Sequence, residues 1–113
     1  MRRIIMKLVI AIVSNDDSHT VLSALTKANF SVTKLSSSGG FLRVGNTTLM
    51  IGTEAERLEE LKDLLREYCS TRQLATVSMP ASYSDAMFSM LPVEVTVGGA
   101  TVFVLDVEEF LKI

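Results

Sequence analysis

Residues 36–46 read Ser-Ser-Ser-Gly-Gly-Phe-Leu-Arg-Val-Gly-Asn, the stretch whose residue types come closest to ligand chemistry. Adjacent Gly39 and Gly40 permit positive φ and let backbone N–H groups approach an anion without interference from a Cβ. Phe41 follows at once and offers a ring on which a planar base could stack, a contact worth about 1–3 kcal/mol. On residue types alone two readings stay open: a nucleotide-contacting loop, or a hairpin tip whose glycines only reverse the chain. No Gly-Lys-Ser/Thr follows the glycines, and the glycine fingerprint of dinucleotide-binding folds is also missing.

A second stretch, residues 79–91, carries Met79, Met87, Met90, Tyr83 and Phe88 between Pro80 and Pro92. Long aperiodic segments of this kind serve as binding loops, and methionine suits an adaptable apolar contact surface. An extra short element packed on a partner subunit fits the same residues.

Catalytic constellations are not visible. His19 is the one histidine and Cys69 the one cysteine, so a Ser-His or Cys-His pair would depend on that imidazole and no intrachain disulfide can form. A conventional zinc site is also unexpected. Glu59, Glu60, Asp63 and Glu67 fall on the solvated side of a helical pattern. Asp106, Glu108 and Glu109 cluster where a short terminal helix over 106–111 is predicted. We expect no enzyme activity, no metal and no cofactor.

The chain has 113 residues, 48% apolar and 21% charged, with net charge −2. That is one domain, 1–113, long enough to bury about two-thirds of its unfolded surface. The mixed charge argues against a disordered chain and against partners held by bulk electrostatics, whether nucleic acid or anionic membrane. Residues 4–13 form a β-branched apolar run after Arg2-Arg3. No small-x-small cleavage signal precedes the polar Ser14-Asn15-Asp16-Asp17 cluster, and the run is too short to span a bilayer. A central buried strand and a cytoplasmic protein are expected, and Met6 offers an alternative translation start.

The elements that must position these residues follow from periodicity. The polar residues 15–18 offer helix caps, and Val21, Leu25 and Ala28 recur at helical spacing. Residues 30–35 and 46–52 alternate as strands around the glycine-bearing loop, and Leu58, Leu61, Leu65 and Tyr68 stripe a helix over 54–68. Residues 72–78 read as a strand. Val93, Val95 and Val97 alternate before Gly98-Gly99, whose primed turn predicts a hairpin with 100–105. The order β-α-β-β-α-β, with an inserted strand and loop region before the last hairpin, specifies an α+β ferredoxin-like sandwich. Its open sheet face carries Ser31, Thr33, Thr48 and Phe103, a half-apolar pattern that predicts a symmetric oligomer.

Two longer strings resemble a known family. Val32-Thr33-Lys34-Leu35, Gly39-Gly40-Phe41-Leu42-Arg43, Gly45-Asn46-Thr47-Thr48 and Ile51-Gly52 form the first. Pro92-Val93-Glu94-Val95 and Val97-Gly98-Gly99-Ala100-Thr101-Val102-Phe103-Val104-Leu105 form the second. Together they resemble the PII-like cyclic-di-AMP receptor family. The resemblance implies a homotrimer with cyclic-di-AMP in clefts between subunits, loops reordered by the ligand, and a downstream protein under their control. It implies that Gly39, Gly40, Phe41 and Leu42 surround the nucleotide, and that Thr33 and Asn46 hydrogen-bond its base. It further implies that Asn29 and Gly52 shape the pocket and that Phe103 approaches with the chain end. Three places differ from the family pattern. Ser31 stands where the family carries an arginine, Leu111-Lys112-Ile113 replaces a His-Gln-Phe-like ending, and Ser82-Tyr83 falls at a common Gly-Gly pair. A PII-like interaction module with another ligand, or none, is the alternative reading.

Overall fold

A computed structural model describes residues 4–35, 45–77 and 92–113. Strand β1 (Met6–Ser14) leads into helix α1 (Asn15–Lys27), then β2 (Ser31–Leu35) and β3 (Asn46–Glu54). A 3-10 turn (Ala55–Arg57) opens helix α2 (Leu58–Cys69), followed by β4 (Arg72–Val77), β5 (Pro92–Val97) and β6 (Ala100–Asp106). The main sheet has the order β2-β3-β1-β6, with all three pairings antiparallel. That is the split β-α-β arrangement expected of a ferredoxin-like sandwich, with the apolar β1 run at its centre.

The pleat divides the sheet into two faces. Val9, Ala11 and Val13 of β1 and Leu49 and Ile51 of β3 are buried beneath the helices. Val21 and Leu25 of α1 and Leu61, Leu65 and Cys69 of α2 close the core from above. Each large aliphatic side chain so buried contributes about 1.5–3 kcal/mol. On the outer side of α2, Lys62 pairs with Glu59 and Arg66 with Asp63, both at 2.9 Å. These i,i+3 pairs occupy the solvated helix face expected for those carboxylates.

Helix α1 begins one residue earlier than its cluster of candidate caps. Ser14 is the N-cap, its hydroxyl accepting from the Asp16 N–H at 3.3 Å, while Asp16 and Asp17 fall in the first turn. Carboxylates there complement the positive end of the helix.

Two expectations fail, for local reasons. Residues 107–113 form no helix. The Val107 N–H instead donates to the Met6 carbonyl at 3.3 Å, so the chain keeps running beside the start of β1. The strands flanking Gly98-Gly99 are also not partners: β5 pairs with β4 in a separate two-stranded sheet, and β6 pairs with β1. Both glycines do take positive φ, +79° and +90°. Their freedom makes a corner, not a hairpin. The Gly99 N–H donates to the Cys69 carbonyl at the end of α2, and a Cβ on Gly98 would lie 2.7 Å from the Ser70 carbonyl oxygen. The inserted β structure is thus an arm, β4–β5, leaving the core at this corner.

Candidate functional site

Register places the predicted contacts on the side of the sheet without helices. Because Leu49 and Ile51 face the core, Asn46, Thr48, Met50 and Gly52 of β3 face outward. Cross-strand pairing then sets Ser31 beside Gly52, Thr33 beside Met50, and Phe103 beside Ile10 on that same face. Thr33, Met50, Ile10 and Phe103 form one continuous row across four strands. Phe103 and Leu105 are 48% and 43% exposed, so the apolar half of this face lies open in the chain described.

At the Gly52 end of the face lies a cavity of about 620 Å³. Asn29, Ser31 and Gly52 line it, together with Arg57 and with Glu108 and Phe110 from the chain end. Local folding rules explain its rim. The Phe30 N–H donates to the Leu25 carbonyl and the Asn29 N–H to the Thr26 carbonyl, both at 3.0 Å, which closes α1 in a Schellman motif. That motif needs a left-handed residue, and Asn29 supplies it at φ +67°. Asn29 therefore ends a helix and borders the cavity with the same backbone. Gly52 is different: its φ is ordinary, and a Cβ there would meet nothing within 4 Å. The chain itself does not require glycine at this point, and its absence of side chain keeps the cavity wall low.

Arg57, which the sequence reading did not single out, anchors the opposite rim. Its guanidinium sits 4.0 Å from the Phe30 ring centroid, Nη2 donates to the Ala28 carbonyl at 2.7 Å, and Nε donates to Glu60 at 3.1 Å. The hydrogen bond that Arg57 donates to Glu60 holds the Arg57 pKa above its ordinary value. Glu54 and Glu108 also line the cavity, so this end of the face is not electropositive. The signal for Arg57 lay in its spacing from Glu60, but its reach to Phe30 and Ala28 depends on tertiary structure.

Asn29 and Gly52 are brought together at the cavity, with Thr33 one alternation inward along β2. Asn46 lies at the far end of β3, about 20 Å from Gly52 at roughly 3.3 Å per residue. Phe103 lies three strands from Thr33, about 14 Å away at the usual interstrand spacing. Gly39, Gly40, Phe41 and Leu42, and the segment 79–91, lie outside the described residues. Within the described residues no group of three or more His, Cys, Asp or Glu is disposed to hold a metal ion. No described helix is long and apolar enough to cross a membrane.

The chain is similar to a protein of unknown function from Pediococcus pentosaceus whose crystal structure has been solved. The two are 39% identical over 98% of this chain and 100% of that one, with a TM-score of 0.79. The description of the cyclic-di-AMP receptor family matches residues 6–113, which include both strings and every strand that carries an outward-facing candidate residue. The chain belongs to the cyclic-di-AMP receptor family.

Proposed function

We propose that this protein is a cytoplasmic, non-catalytic receptor that binds cyclic-di-AMP in clefts between the subunits of a homotrimer. Binding reorders loops that control a partner protein. The observation that carries the reading is the common outward face of Thr33, Asn46, Gly52 and Phe103, in a chain matched by the receptor family from residue 6 to its end. The exposed apolar row through Ile10 and Phe103 suits burial against a second copy. The separations of about 14 and 20 Å along that face suit a ligand whose contacts come from more than one subunit.

Charge assigns the orientation. Glu54 and Glu108 would repel a phosphate, so a base and not the phosphodiester faces the cavity. An adenine amino group there meets carboxylate and Asn29 amide acceptors, whereas guanine would turn a carbonyl oxygen toward them. The phosphates are left to the glycine amides of residues 39–40.

Isothermal titration with cyclic-di-AMP, cyclic-di-GMP and ATP tests this. Saturable heat and a raised Tm with cyclic-di-AMP alone are expected, because a ligand bound by the native state stabilises it. Absence of both with excess ligand overturns the receptor reading and leaves the interaction module. Sedimentation as a monomer would overturn the intersubunit cleft.

A further inference from the structure

The first turn of α1 touches both segments that leave the sheet at the end remote from the cavity. On one side is the base of the β2–β3 loop. The Asn15 N–H donates to the Gly45 carbonyl at 2.8 Å, and the Thr47 hydroxyl donates to the Asn15 side-chain oxygen. Asn15 thus grips the residues on either side of Asn46. On the other side is the base of the β4–β5 arm. The Asp17 carboxylate, only 8% exposed, accepts from Arg72 Nη2 at 2.8 Å and from Nη1 at 3.4 Å. Arg72 Nη1 also donates to the Ser70 carbonyl at 3.3 Å, and Gly98 packs against the same guanidinium.

Asn15 and Asp17 are two residues apart in one rigid helical turn, capped by Ser14 and stiffened by the Ser18 hydroxyl donating to the Asn15 carbonyl at 2.9 Å. A shift of the loop base must move Asn15 or break its two hydrogen bonds. If Asn15 moves, the turn moves, and the buried Asp17 must follow or lose its cation, which is costly for a carboxylate out of water. We propose that this turn couples the β2–β3 loop base to the β4–β5 arm through the Asn15–Thr47 and Asp17–Arg72 contacts. In a receptor that binds ligand beside Asn46, the arm is the element that reports occupancy to a partner. That last step rests on the receptor reading, whereas the coupling itself does not.

Hydrogen exchange on the full chain tests it in two arms. Without ligand, Thr47→Val removes only the hydroxyl at the loop base and should speed exchange in residues 72–77 as well as in 45–47. Asp17→Asn should do the converse, speeding 45–47 as well as 72–77 and 92–97, by about fivefold at the remote segment as for ordinary coupling free energies. Arg72→Gln, from the exposed side of the pair, serves if Asp17→Asn does not fold. Effects confined to the mutated side overturn the coupling. With cyclic-di-AMP, exchange in 72–77 should slow in the wild type and not in the variant that breaks the Asp17–Arg72 pair. Binding without any response in the arm overturns the proposal. Absence of binding overturns the receptor reading alone, since the ligand-free cross-effects still decide the coupling.

Discussion

Arg57 lies with its guanidinium over the Phe30 ring at 4.0 Å while Nη2 holds the Ala28 carbonyl at 2.7 Å. One side chain from the turn before α2 therefore satisfies the C-terminal end of α1 and braces the aromatic residue that leads into β2. Replacing it with methionine keeps much of the alkyl packing but removes the cation and the forked donor. Arg57→Met should lower the urea midpoint of unfolding, because it loses both a cation–π contact and a charged hydrogen bond. Arg57→Lys should recover less than half, because an ammonium cannot serve Ala28, Glu60 and the ring together. Urea unfolding of the three proteins decides it, and a lysine variant equal to wild type would refute the forked geometry.

Asn29 carries two roles that two substitutions separate. Its φ of +67° strains any residue with a Cβ other than asparagine and aspartate. Asn29→Ala should cost about 1 kcal/mol or more of stability, whereas Asn29→Gly should be neutral within a few tenths. Both remove the amide from the cavity rim and should weaken cyclic-di-AMP binding alike. Thermal melts and titrations on the same samples check this. If Asn29→Gly binds like wild type, the residue is a helix terminator only.

Gly52 gives the reverse signature. Nothing lies within 4 Å of a Cβ built there, and a strand position gains from losing glycine's backbone entropy. Gly52→Val should leave stability unchanged or raise it, yet it places a branched side chain against the cavity. Affinity should fall by tenfold or more, about 1.4 kcal/mol. A variant that is stable and binds normally would move the ligand off this end of the sheet.

Much of this architecture was legible because short-range patterns dictate it. The unbroken apolar run of β1, the stripe of Leu58, Leu61 and Leu65, and the alternation around Thr47, Leu49 and Ile51 each have one comfortable solution. The failures share a cause. Gly98-Gly99 satisfies the local rule for a tight hairpin turn, but the Cys69 carbonyl and the Asp17–Arg72 pair recruit those glycines for a corner. Glu108 and Glu109 look like the start of a helix, but the backbone near Met6 offers Val107 a strand-like partner. Site residues followed the same division. Ser31, Thr33, Thr48 and Phe103 fall on one face by period-two counting and Gly52 follows from the family resemblance, whereas the Arg57–Phe30 and Asn15–Thr47 contacts join residues distant in sequence and leave no local trace.

Cys69 supplies a pH test of the corner where α2 ends. Burial pushes its thiol from the ordinary value of 9.0 up to about 11, and the neighbouring Asp17 charge adds to the rise, opposed by Arg72. The folded state therefore holds its proton where the unfolded chain has released it. The stability this contributes is intact below about 9 and is lost as pH rises toward about 11. Lysine and tyrosine titrate nearby, so the informative quantity is the difference between wild type and Cys69→Ala, in which those groups cancel. At neutral pH the alanine variant should be less stable, because a fully buried side chain has been trimmed. That gap should narrow steadily as the pH passes from 9 to 11 in urea unfolding. A gap that stays constant would mean the folded thiol ionises as freely as the unfolded one, and that water reaches the seam between α2 and the Asp17–Arg72 pair.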